Sequence, residues 1–264
     1  MNIKQITSNT NKQIKWIKKL QAQSKERYLQ SLYVVEGKKQ VLELNMKTVH
    51  TLILDERADL KLFESYEGDI LILTQEIFKS VSLDKTPQGY MAIAKMNRYQ
   101  LESQKINENG LYLLLESIQD PGNMGTMIRV CDAVKADGII YNKESVDIYH
   151  PKVVKSTVGS LNRVKCYQVD DLTQAIHKLQ SSNIRVFGAY LDDSSSHFSK
   201  HYHQGTAFVI GNEGNGISDK VINCVDERVT IPILGGAESL NAAVAASVLL
   251  YEAIRQRKDK SVSL

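Results

Sequence analysis

Cysteine is scarce in this sequence, and its three copies, Cys131, Cys166 and Cys224, lie far apart. No CxxC pair and no paired histidines accompany them. An odd number of widely spaced cysteines predicts neither a disulfide framework nor a zinc site. It also argues weakly against a methylation chemistry that uses a cysteine nucleophile, because none of the three has an obvious activating neighbour.

Long hydrophobic segments are missing as well. The longest apolar run, Ala242 to Tyr251, is far shorter than a bilayer span. The first residues, MNIKQITSNTNKQIK, contain no apolar signal core, and no fixed-period repeat or low-complexity tract is present. The 264 residues, 42% hydrophobic and 24% charged, are therefore expected to form one large or two smaller domains of a cytoplasmic protein.

Basic charge is concentrated at the N-terminus, although the net charge of the chain is only +3. Residues 1–40 contain nine basic and two acidic residues, against 24 basic and 28 acidic residues in the remainder. This asymmetry indicates that the first segment meets a polyanion, most simply RNA; a solvated helix face is the alternative. The candidate RNA-binding residues are Lys12, Lys15, Lys18, Lys19, Lys25, Arg27 and Lys38.

The apolar pattern divides the chain into two parts. A basic helix is predicted from Asn11 to Leu32, because Ile14, Ile17 and Leu20 recur at helical spacing between lysines. Short strand-like runs follow, at 33–35, 51–54, 69–73 and 90–94. Together these elements predict a small α/β RNA-binding domain over residues 1–97.

A polar stretch at 98–109 has little apolar periodicity and is expected to link this domain to a second one, residues 110–264. From Leu111 onward, continuous apolar strands alternate with helices. This pattern predicts a doubly wound α/β domain with a parallel sheet buried on both faces. Ligands of such sheets gather beyond the carboxyl ends of the strands, where three loops carry glycines and polar residues.

The first loop, DPGNMGTMIRV at 120–130, follows a predicted strand at 111–116 and begins a helix. Its proline and glycine are expected to form a turn, and Asn123 is expected to cap the helix. Arg129 lies two turns further on, about 120° around the helix from Asn123, and could bind a phosphate with two hydrogen bonds. A capped helix with a surface arginine explains the same pattern.

The second loop, IGNEGNGIS at 210–218, follows the predicted strand 206–210. Its glycines stand in the order GxxGxG, which differs from the GxGxxG of dinucleotide-binding folds. Such glycines allow a ligand to approach the backbone closely, and Glu213 could accept hydrogen bonds from a hydroxyl or a base. A glycine-rich turn without a ligand is the alternative.

The third loop, IPILGGAESLNAAVAAS, leads from a predicted strand ending at Ile231 into an alanine-rich helix. Small side chains let a flat ligand approach, and the free amides of a helix start offer donors to an adenine edge or a carboxylate. A tightly packed core helix capped by Ser239 explains this stretch equally well on its own.

In this order and after these strands, the three loops closely resemble the motifs of the SpoU (TrmH) family of RNA 2'-O-ribose methyltransferases. The resemblance covers about residues 110 to 257 and is carried by Asn123 with Arg129, by GNEG at 211–214 and by SLN at 239–241. The stretches VVEGKKQVLE and TPQGYMAI resemble the ribosomal-protein-like substrate-binding domain fused to such enzymes. One departure is AAVAAS, where many relatives have VSVA-type residues.

The resemblance implies a C-terminal deep trefoil knot, a homodimer and S-adenosylmethionine as cofactor, with no metal. The cofactor site maps onto Gly211, Ile231, Leu240, Asn241 and Ala242. The catalytic residues map onto Asn123, Arg129, Glu213, Ser239 and Asn241, with Arg129 supplied by the partner subunit. Family reasoning makes Arg129 the base, but a guanidinium with a pKa above about 12 is a poor proton acceptor, so we favour phosphate binding.

The implied reaction is methylation of a ribose 2'-hydroxyl in structured RNA, with 23S ribosomal RNA favoured over transfer RNA because of the N-terminal domain. A ribosome-assembly factor that binds RNA without catalysis is an alternative, although the intact Asn123, Arg129 and Glu213 speak against it. A nicotinamide oxidoreductase would need a phosphate-binding glycine turn after the first strand, which DPGNMG does not provide.

Overall fold

The computed structural model describes residues 2–191 and 195–259. The chain divides into two compact units, the first formed by Met1–Asn97 with Asp147–Asn162 and the second by Arg98–Val146 with Arg163–Leu264. The predicted linker, 98–109, lies within the second unit. Leu101 is buried there in the core, and Tyr99 packs against Tyr167. The predicted domain boundaries remain a proposal. The segment 147–162, which the prediction placed in the second domain, is grouped with the first unit in the structure.

The chain forms its helices and strands in the following order. From Asn2 to Lys95 they are β1 (Asn2–Ile6), α1 (Lys12–Ala22), α2 (Ser24–Gln30), β2 (Leu32–Glu36), α3 (Lys38–Leu42), β3 (Val49–Asp55), β4 (Asp69–Leu73), α4 (Gln75–Val81) and β5 (Tyr90–Lys95). From Leu111 to Asp259 they are β6 (Leu111–Leu115), α5 (Pro121–Ala133), β7 (Gly138–Asn142), α6 (Pro151–Thr157), β8 (Cys166–Val169), α7 (Leu172–Gln180), β9 (Arg185–Ala189), β10 (Ser195–Ser196), β11 (Thr206–Ile210), α8 (Asp219–Ile222), β12 (Glu227–Thr230) and α9 (Ala242–Asp259).

The first unit contains a five-stranded sheet within its described residues, in the order β1-β4-β3-β5-β2. Strand β5 runs antiparallel to its neighbours β2 and β3, whereas β1, β3 and β4 are parallel. Helix α1 buries Ile14, Ile17 and Leu20 against this sheet, as the helical spacing predicted. Strand β1 was not predicted, because most of its residues are exposed and only Ile6 is buried.

The basic segment forms two helices rather than the single predicted helix from Asn11 to Leu32. The backbone leaves helical geometry at Gln23, with φ −120° and ψ 112°, and the second helix ends at Ser31 in the left-handed region. Leu32 already belongs to strand β2. The apolar stripe stops after Leu20, so no further hydrophobic face extends α1 along the sheet.

The prediction that Arg27 binds RNA is wrong. Its side chain is 2% exposed, and its Nε and Nη2 atoms donate to Asp147 Oδ2 at 3.0 and 2.5 Å. Nη1 donates to the carbonyl oxygens of Leu20 and Gln21, which lie at the end of α1. A helix end leaves carbonyls without intrahelical partners, and this guanidinium satisfies two of them from inside the fold. It is therefore unavailable to a phosphate.

The second unit contains a seven-stranded parallel sheet within the described residues, in the order β10-β12-β9-β11-β6-β7-β8. All residues of β6, β7 and β11 are buried, as expected for a sheet covered on both faces. The predicted α/β fold is confirmed. Strands β6, β11, β9 and β12 are successive neighbours, so the loops that follow them meet at one edge.

Several features of the described residues bear on function classes. No helix in these ranges is long and apolar enough to span a membrane. They also contain no cluster of three or more His, Cys, Asp or Glu side chains that could hold a metal.

Burial raises the pKa of the Cys166 thiol to about 12 and that of Cys131 well above its usual value. Neither thiol is therefore available as a thiolate nucleophile at neutral pH.

Candidate active site

A cavity of about 320 Å³ opens at the carboxyl edge of the parallel sheet in the second unit. All five predicted cofactor-binding residues line it: Gly211, Ile231, Leu240, Asn241 and Ala242. Glu213 and Ser239, predicted to be catalytic, line it too. The second and third loops therefore form one concave surface, as the sequence motifs led us to expect for a ligand site at this edge.

Helix α5 begins earlier than predicted, at Pro121, and its cap is Asp120 rather than Asn123. The Asp120 side chain accepts a hydrogen bond from the Asn123 amide nitrogen at 2.7 Å, and Pro121 occupies the first helical position. Both choices suit a helix start, since proline has no amide proton to leave unpaired there. The Asn123 side chain is thereby free to make contacts outside its own helix.

A chain of side-chain hydrogen bonds joins the three loops. Asn123 Nδ2 donates to Glu213 Oε1 at 2.9 Å, and Asn241 Nδ2 donates to Asn123 Oδ1 at 2.9 Å. The residues are 90 and 118 positions apart in sequence. Each motif therefore contributes one member of a single polar network, which explains why the three motifs occur together.

Glu213 acts as the acceptor at one end of this network. Besides Asn123, the backbone amides of Gln119 and Asp120 donate to its two carboxylate oxygens at 3.2 Å. Burial by itself raises the pKa of Glu213, but the hydrogen bonds from Asn123 and the backbone amides outweigh it and hold the pKa below its ordinary value. The carboxylate is ionised at neutral pH and fastens the first loop to the second.

Glu213→Gln is expected to lower the free energy of unfolding at neutral pH. Because folding lowers the pKa of Glu213, ionisation stabilises the fold above the ordinary value of 4.5, and this contribution is lost as the pH falls through the folded-state pKa. The stability difference from wild type should thus be constant near neutrality and shrink in acid. Urea unfolding against pH measures it, with the exposed Glu144→Gln as control; a difference that widens in acid would contradict the assignment.

The second loop is held tightly by its own backbone. A Cβ on Gly211 would lie 2.2 Å from the carbonyl carbon of Gly216, so only glycine fits at position 211. Asn212 pairs with Gly216 through two backbone hydrogen bonds, and its side chain donates to the Ser117 carbonyl oxygen at 2.7 Å. Glu116 accepts hydrogen bonds from both the amide and the hydroxyl of Ser218. The loop is therefore anchored to the end of β6.

The third loop ends at an asparagine cap. Asn241 Oδ1 accepts from the amides of Ala243 and Val244 at 2.9 and 3.2 Å, so Asn241 takes the capping role that a packed-helix interpretation gave to Ser239. Ser239 is exposed, and its hydroxyl makes no hydrogen bond with the described part of the chain. Its side chain is therefore free to meet a ligand.

Two substitutions separate the two roles of Asn241. Asn241→Ala removes the cap and is expected to cost about 0.5–2 kcal/mol of stability. Asn241→Asp keeps a capping oxygen but replaces the donor to Asn123 with a second acceptor, so stability should be largely kept while any activity that depends on this network falls. Thermal unfolding and an activity assay measure both, with Ser239→Ala as the stability control. Equal activity of the Asp variant and wild type would show that the Asn241–Asn123 bond is dispensable.

Arg129 is not part of this network. It lies on the exposed surface of α5, and within the described residues its guanidinium makes no hydrogen bond or ion pair. It does not line this cavity. An arginine placed this way can meet a phosphate or a neighbouring subunit, and its role remains a prediction.

Part of the cavity wall lies outside the three sequence motifs. Ala189 ends strand β9, Tyr190 and Leu191 follow it, and Ala245 lies one turn into α9. The Arg228 guanidinium stacks over the Tyr190 ring at 5.2 Å and supports it from outside. Strand β9 ends at the same edge as the three motifs, so its carboxyl end marked this wall in the sequence, but it has no glycine cluster to draw attention.

The cavity is suited to S-adenosylmethionine in shape and in chemistry. Its floor combines apolar side chains such as Ile210 and Ile231 with the small Ala242 and Ala245. The backbone of residues 232–240 makes no hydrogen bond with the described part of the chain, so its amides and carbonyls are available to a ligand. Apolar walls with a few convergent polar groups are typical of cofactor sites, and an adenosine needs both.

Comparisons with known proteins agree with this geometry. The model of the SpoU rRNA methylase family matches residues 110–251, and that of an MRM3-like substrate-binding domain matches residues 11–92. A 23S rRNA (guanosine(2553)-2'-O)-methyltransferase, RlmP of Bacillus subtilis (strain 168), is 29% identical over 255 residues, which are 94% of this chain and 98% of RlmP.

Two solved structures are similar over nearly the whole chain. One is an AdoMet-bound rRNA methyltransferase from Sinorhizobium meliloti, with TM-score 0.86 and 27% identity, covering 96% of this chain and 98% of that one. The other is the SpoU methyltransferase AviRb from Streptomyces viridochromogenes in complex with AdoMet, with TM-score 0.85 and 27% identity, covering 94% and 100%. With its own site geometry and a family match over more than half of its length, this chain belongs to the SpoU rRNA methylase family.

Proposed function

We propose that the protein transfers a methyl group from S-adenosylmethionine to a ribose 2'-hydroxyl of structured RNA, with 23S ribosomal RNA as its substrate. The observation that carries the proposal is the Glu213–Asn123–Asn241 network, which ties the three family motifs to the wall of one cavity. Two solved relatives that cover almost the entire chain hold AdoMet. Bound in this cavity, the cofactor would supply an electrophilic methyl group.

The chain's own residues bind and orient the reactants. Gly211, Ile231, Leu240, Asn241 and Ala242 hold the cofactor, largely through the backbone of the second and third loops. Asn123 uses one donor and one acceptor within the network, and its second amide proton remains for a substrate oxygen. Ser239 offers a free hydroxyl to the ribose. Holding the reacting atoms in line supplies much of the rate of such a displacement.

Proton removal from the 2'-hydroxyl is not assigned to Glu213. Its oxygens already accept three hydrogen bonds, and its lowered pKa makes it a weak base. Its role is to position Asn123. Arg129 is assigned to the phosphate next to the target ribose, since guanidinium groups bind phosphate with two parallel hydrogen bonds.

Ribosomal RNA is favoured because relatives named as 23S rRNA 2'-O-methyltransferases include RlmP, which is matched over nearly its full length. The exposed basic side chains of the first unit suit an RNA backbone; they are Lys12, Lys15, Lys18, Lys25 and Lys38, with Lys19 partly engaged by Glu26. Transfer RNA is the second candidate. A cytoplasmic location accords with either substrate.

A homodimer is part of the proposal. Val244 and Tyr251 are 48% and 54% exposed and stand two helical turns apart on α9, where they form an uncovered apolar stripe. A partner subunit would cover this stripe, and the family resemblance implies that it also supplies its Arg129 to the site. Sedimentation at micromolar concentration is expected to give a dimer, and a monomer would remove the basis for a shared site.

Calorimetry with S-adenosylmethionine tests the function directly. The wild-type protein is expected to bind it, whereas Gly211→Ala should weaken binding about 5- to 150-fold, because relieving an added methyl in a tight site costs about 1–3 kcal/mol. A non-catalytic assembly factor would give no heat of binding.

Mapping 2'-O-methyl groups in RNA from cells with and without the gene identifies the target RNA. Loss of a 2'-O-methyl group from tRNA with unchanged rRNA would reject the assignment to ribosomal RNA.

A further inference from the structure

A second cavity, of about 270 Å³, lies in the first unit and has no part in the methyl-transfer site. It is formed where the start of α1 faces strands β1, β3 and β4. The residues that line it and matter here are Lys4, Lys12, Trp16, His50, Thr51 and Asp69. Two aromatic rings, two cations and one carboxylate thus surround a space slightly smaller than typical small-ligand sites, large enough for part of a nucleotide.

The aromatic wall of this cavity is held in place by hydrogen bonds. Trp16 Nε1 donates to Gln30 Oε1 at 2.8 Å, and the Gln30 amide group donates in turn to Glu26. Trp16 is half-buried and packs against the core of the unit. His50 lies with its ring centroid 5.6 Å from that of Trp16, at an interplanar angle of 66°. The two rings form a corner that is already ordered, so binding a ligand there costs little further side-chain entropy.

The polar groups around this corner are complementary to a nucleotide. Lys4 and Lys12 are exposed, and neither amino group makes an ion pair or hydrogen bond with the described part of the chain. They can therefore meet phosphate oxygens without breaking existing contacts. Asp69 accepts one hydrogen bond from Asn2 and retains further lone pairs. A carboxylate repels phosphate but accepts hydrogen bonds from the amino and imino groups of a base.

We propose that this cavity binds one unpaired nucleotide of the RNA substrate, with its base against Trp16 and His50 and its flanking phosphates at Lys4 and Lys12. Proteins that recognise single-stranded RNA combine these two elements: aromatic side chains for splayed bases and cations for the backbone. The inference rests on the proposed function, since it takes RNA as substrate. It adds an anchoring point in the first unit, formed by residues that have no role in methyl transfer.

Intrinsic fluorescence tests the proposal directly, because Trp16 is the one tryptophan in the sequence. Titrating the full-length protein with a short unstructured oligoribonucleotide is expected to quench its emission saturably. An abasic oligomer of the same charge should bind more weakly and leave the emission unchanged. Equal quenching by both oligomers, or none by either, would overturn the proposal. Quenching by a free nucleoside monophosphate with no gain in affinity for the oligomer would overturn the assignment to RNA.

Variants separate stacking from general charge. Loss of one base–aromatic stacking contact costs about 1–3 kcal/mol, so His50→Ala or Trp16→Ala is expected to weaken oligomer binding about 5- to 150-fold. Trp16→Phe, which keeps an aromatic ring, should weaken binding less. Fluorescence anisotropy of an end-labelled oligomer measures these affinities. Lys4→Gln and Lys12→Gln should weaken binding more than Lys79→Gln, which removes a charge from α4 outside the cavity. His50 is exposed, so its variant remains informative if Trp16→Ala fails to fold. Equal affinity of His50→Ala and wild type would contradict the proposal.

The two proposals fail in different ways. Calorimetry with S-adenosylmethionine reports on the second unit, which contains no tryptophan, whereas Trp16 fluorescence reports on the first. Normal cofactor binding and turnover without quenching would reject the nucleotide cavity alone. Absence of cofactor binding and turnover would reject the proposed function, whatever the fluorescence shows.

Discussion

Arg129→Ala is expected to reduce kcat for RNA methylation by about 10²-fold, because its guanidinium holds the phosphate beside the target ribose and a misplaced reacting group can cost about that much. The guanidinium is exposed on α5 and has no partner within the described residues, so its removal should leave the fold intact. Single-turnover transfer of labelled methyl groups measures the change. Cofactor binding should be unaffected, because Arg129 does not line the cofactor cavity.

Controls distinguish the charge of Arg129 from its geometry. Arg129→Lys retains one positive charge but not the planar pair of donors, so an intermediate rate is expected. Thr126→Ala, one turn earlier on the exposed face of α5, should be neutral. If Arg129→Ala kept near wild-type turnover while RNA affinity alone fell, Arg129 would bind RNA without positioning the ribose for methyl transfer, and its place among the catalytic residues would be lost.

The source of Arg129 can be established by mixing two inactive proteins. If one subunit supplies Arg129 to the cavity of its partner, co-expressed Arg129→Ala and Asn241→Asp chains should regain part of the activity, because a mixed dimer contains one intact site. No recovery from demonstrated mixed dimers would place Arg129 in the site of its own subunit.

Arg27→Ala is expected to destabilise the first unit by about 3–5 kcal/mol, the usual cost of removing one partner from a buried ion pair. Asp147 would be left at 14% exposure without its counter-ion, and the carbonyls of Leu20 and Gln21 would lose their donor. Urea unfolding followed through Trp16 reports on this unit. Circular dichroism follows the whole chain alongside.

A neighbouring lysine provides the matched control for Arg27. Lys25 is exposed on the same short helix, so Lys25→Ala should change stability by no more than about 0.5 kcal/mol. RNA affinity should show the opposite ranking, with Lys25→Ala weakening binding and any folded Arg27 variant leaving it unchanged. A loss of RNA affinity in Arg27→Lys at full stability would restore the original RNA-binding interpretation.

Local patterns predicted much of the fold. The buried strands of the parallel sheet are continuous apolar runs, and β6 and β11 lie where LYLLL and TAFVI predicted them. The resemblance to the SpoU family, carried by three short motifs, led to the correct family and to residues that line one cavity. These predictions succeeded because strand periodicity, glycine turns and helix starts depend mainly on neighbouring residues.

The pattern of basic residues was less informative about RNA binding, because the sequence does not show whether a basic residue in a helix faces water or the core. Arg27 and Lys25 are two positions apart in one basic segment, yet one is buried and the other exposed. The difference depends on Asp147, 120 positions away in sequence. A carboxylate that distant contributes nothing to a local pattern of charge.

The sequence by itself determined the family, the parallel-sheet domain and the loops that carry the chemistry, because each depends on short stretches of chain. Only the tertiary structure decided what those side chains do. It made Asp120 rather than Asn123 the cap of α5, joined Asn123 to Glu213 and Asn241, and left Arg129 outside the network. Hydrogen bonds between residues about a hundred positions apart form only once the strand order brings their loops to one edge of the sheet.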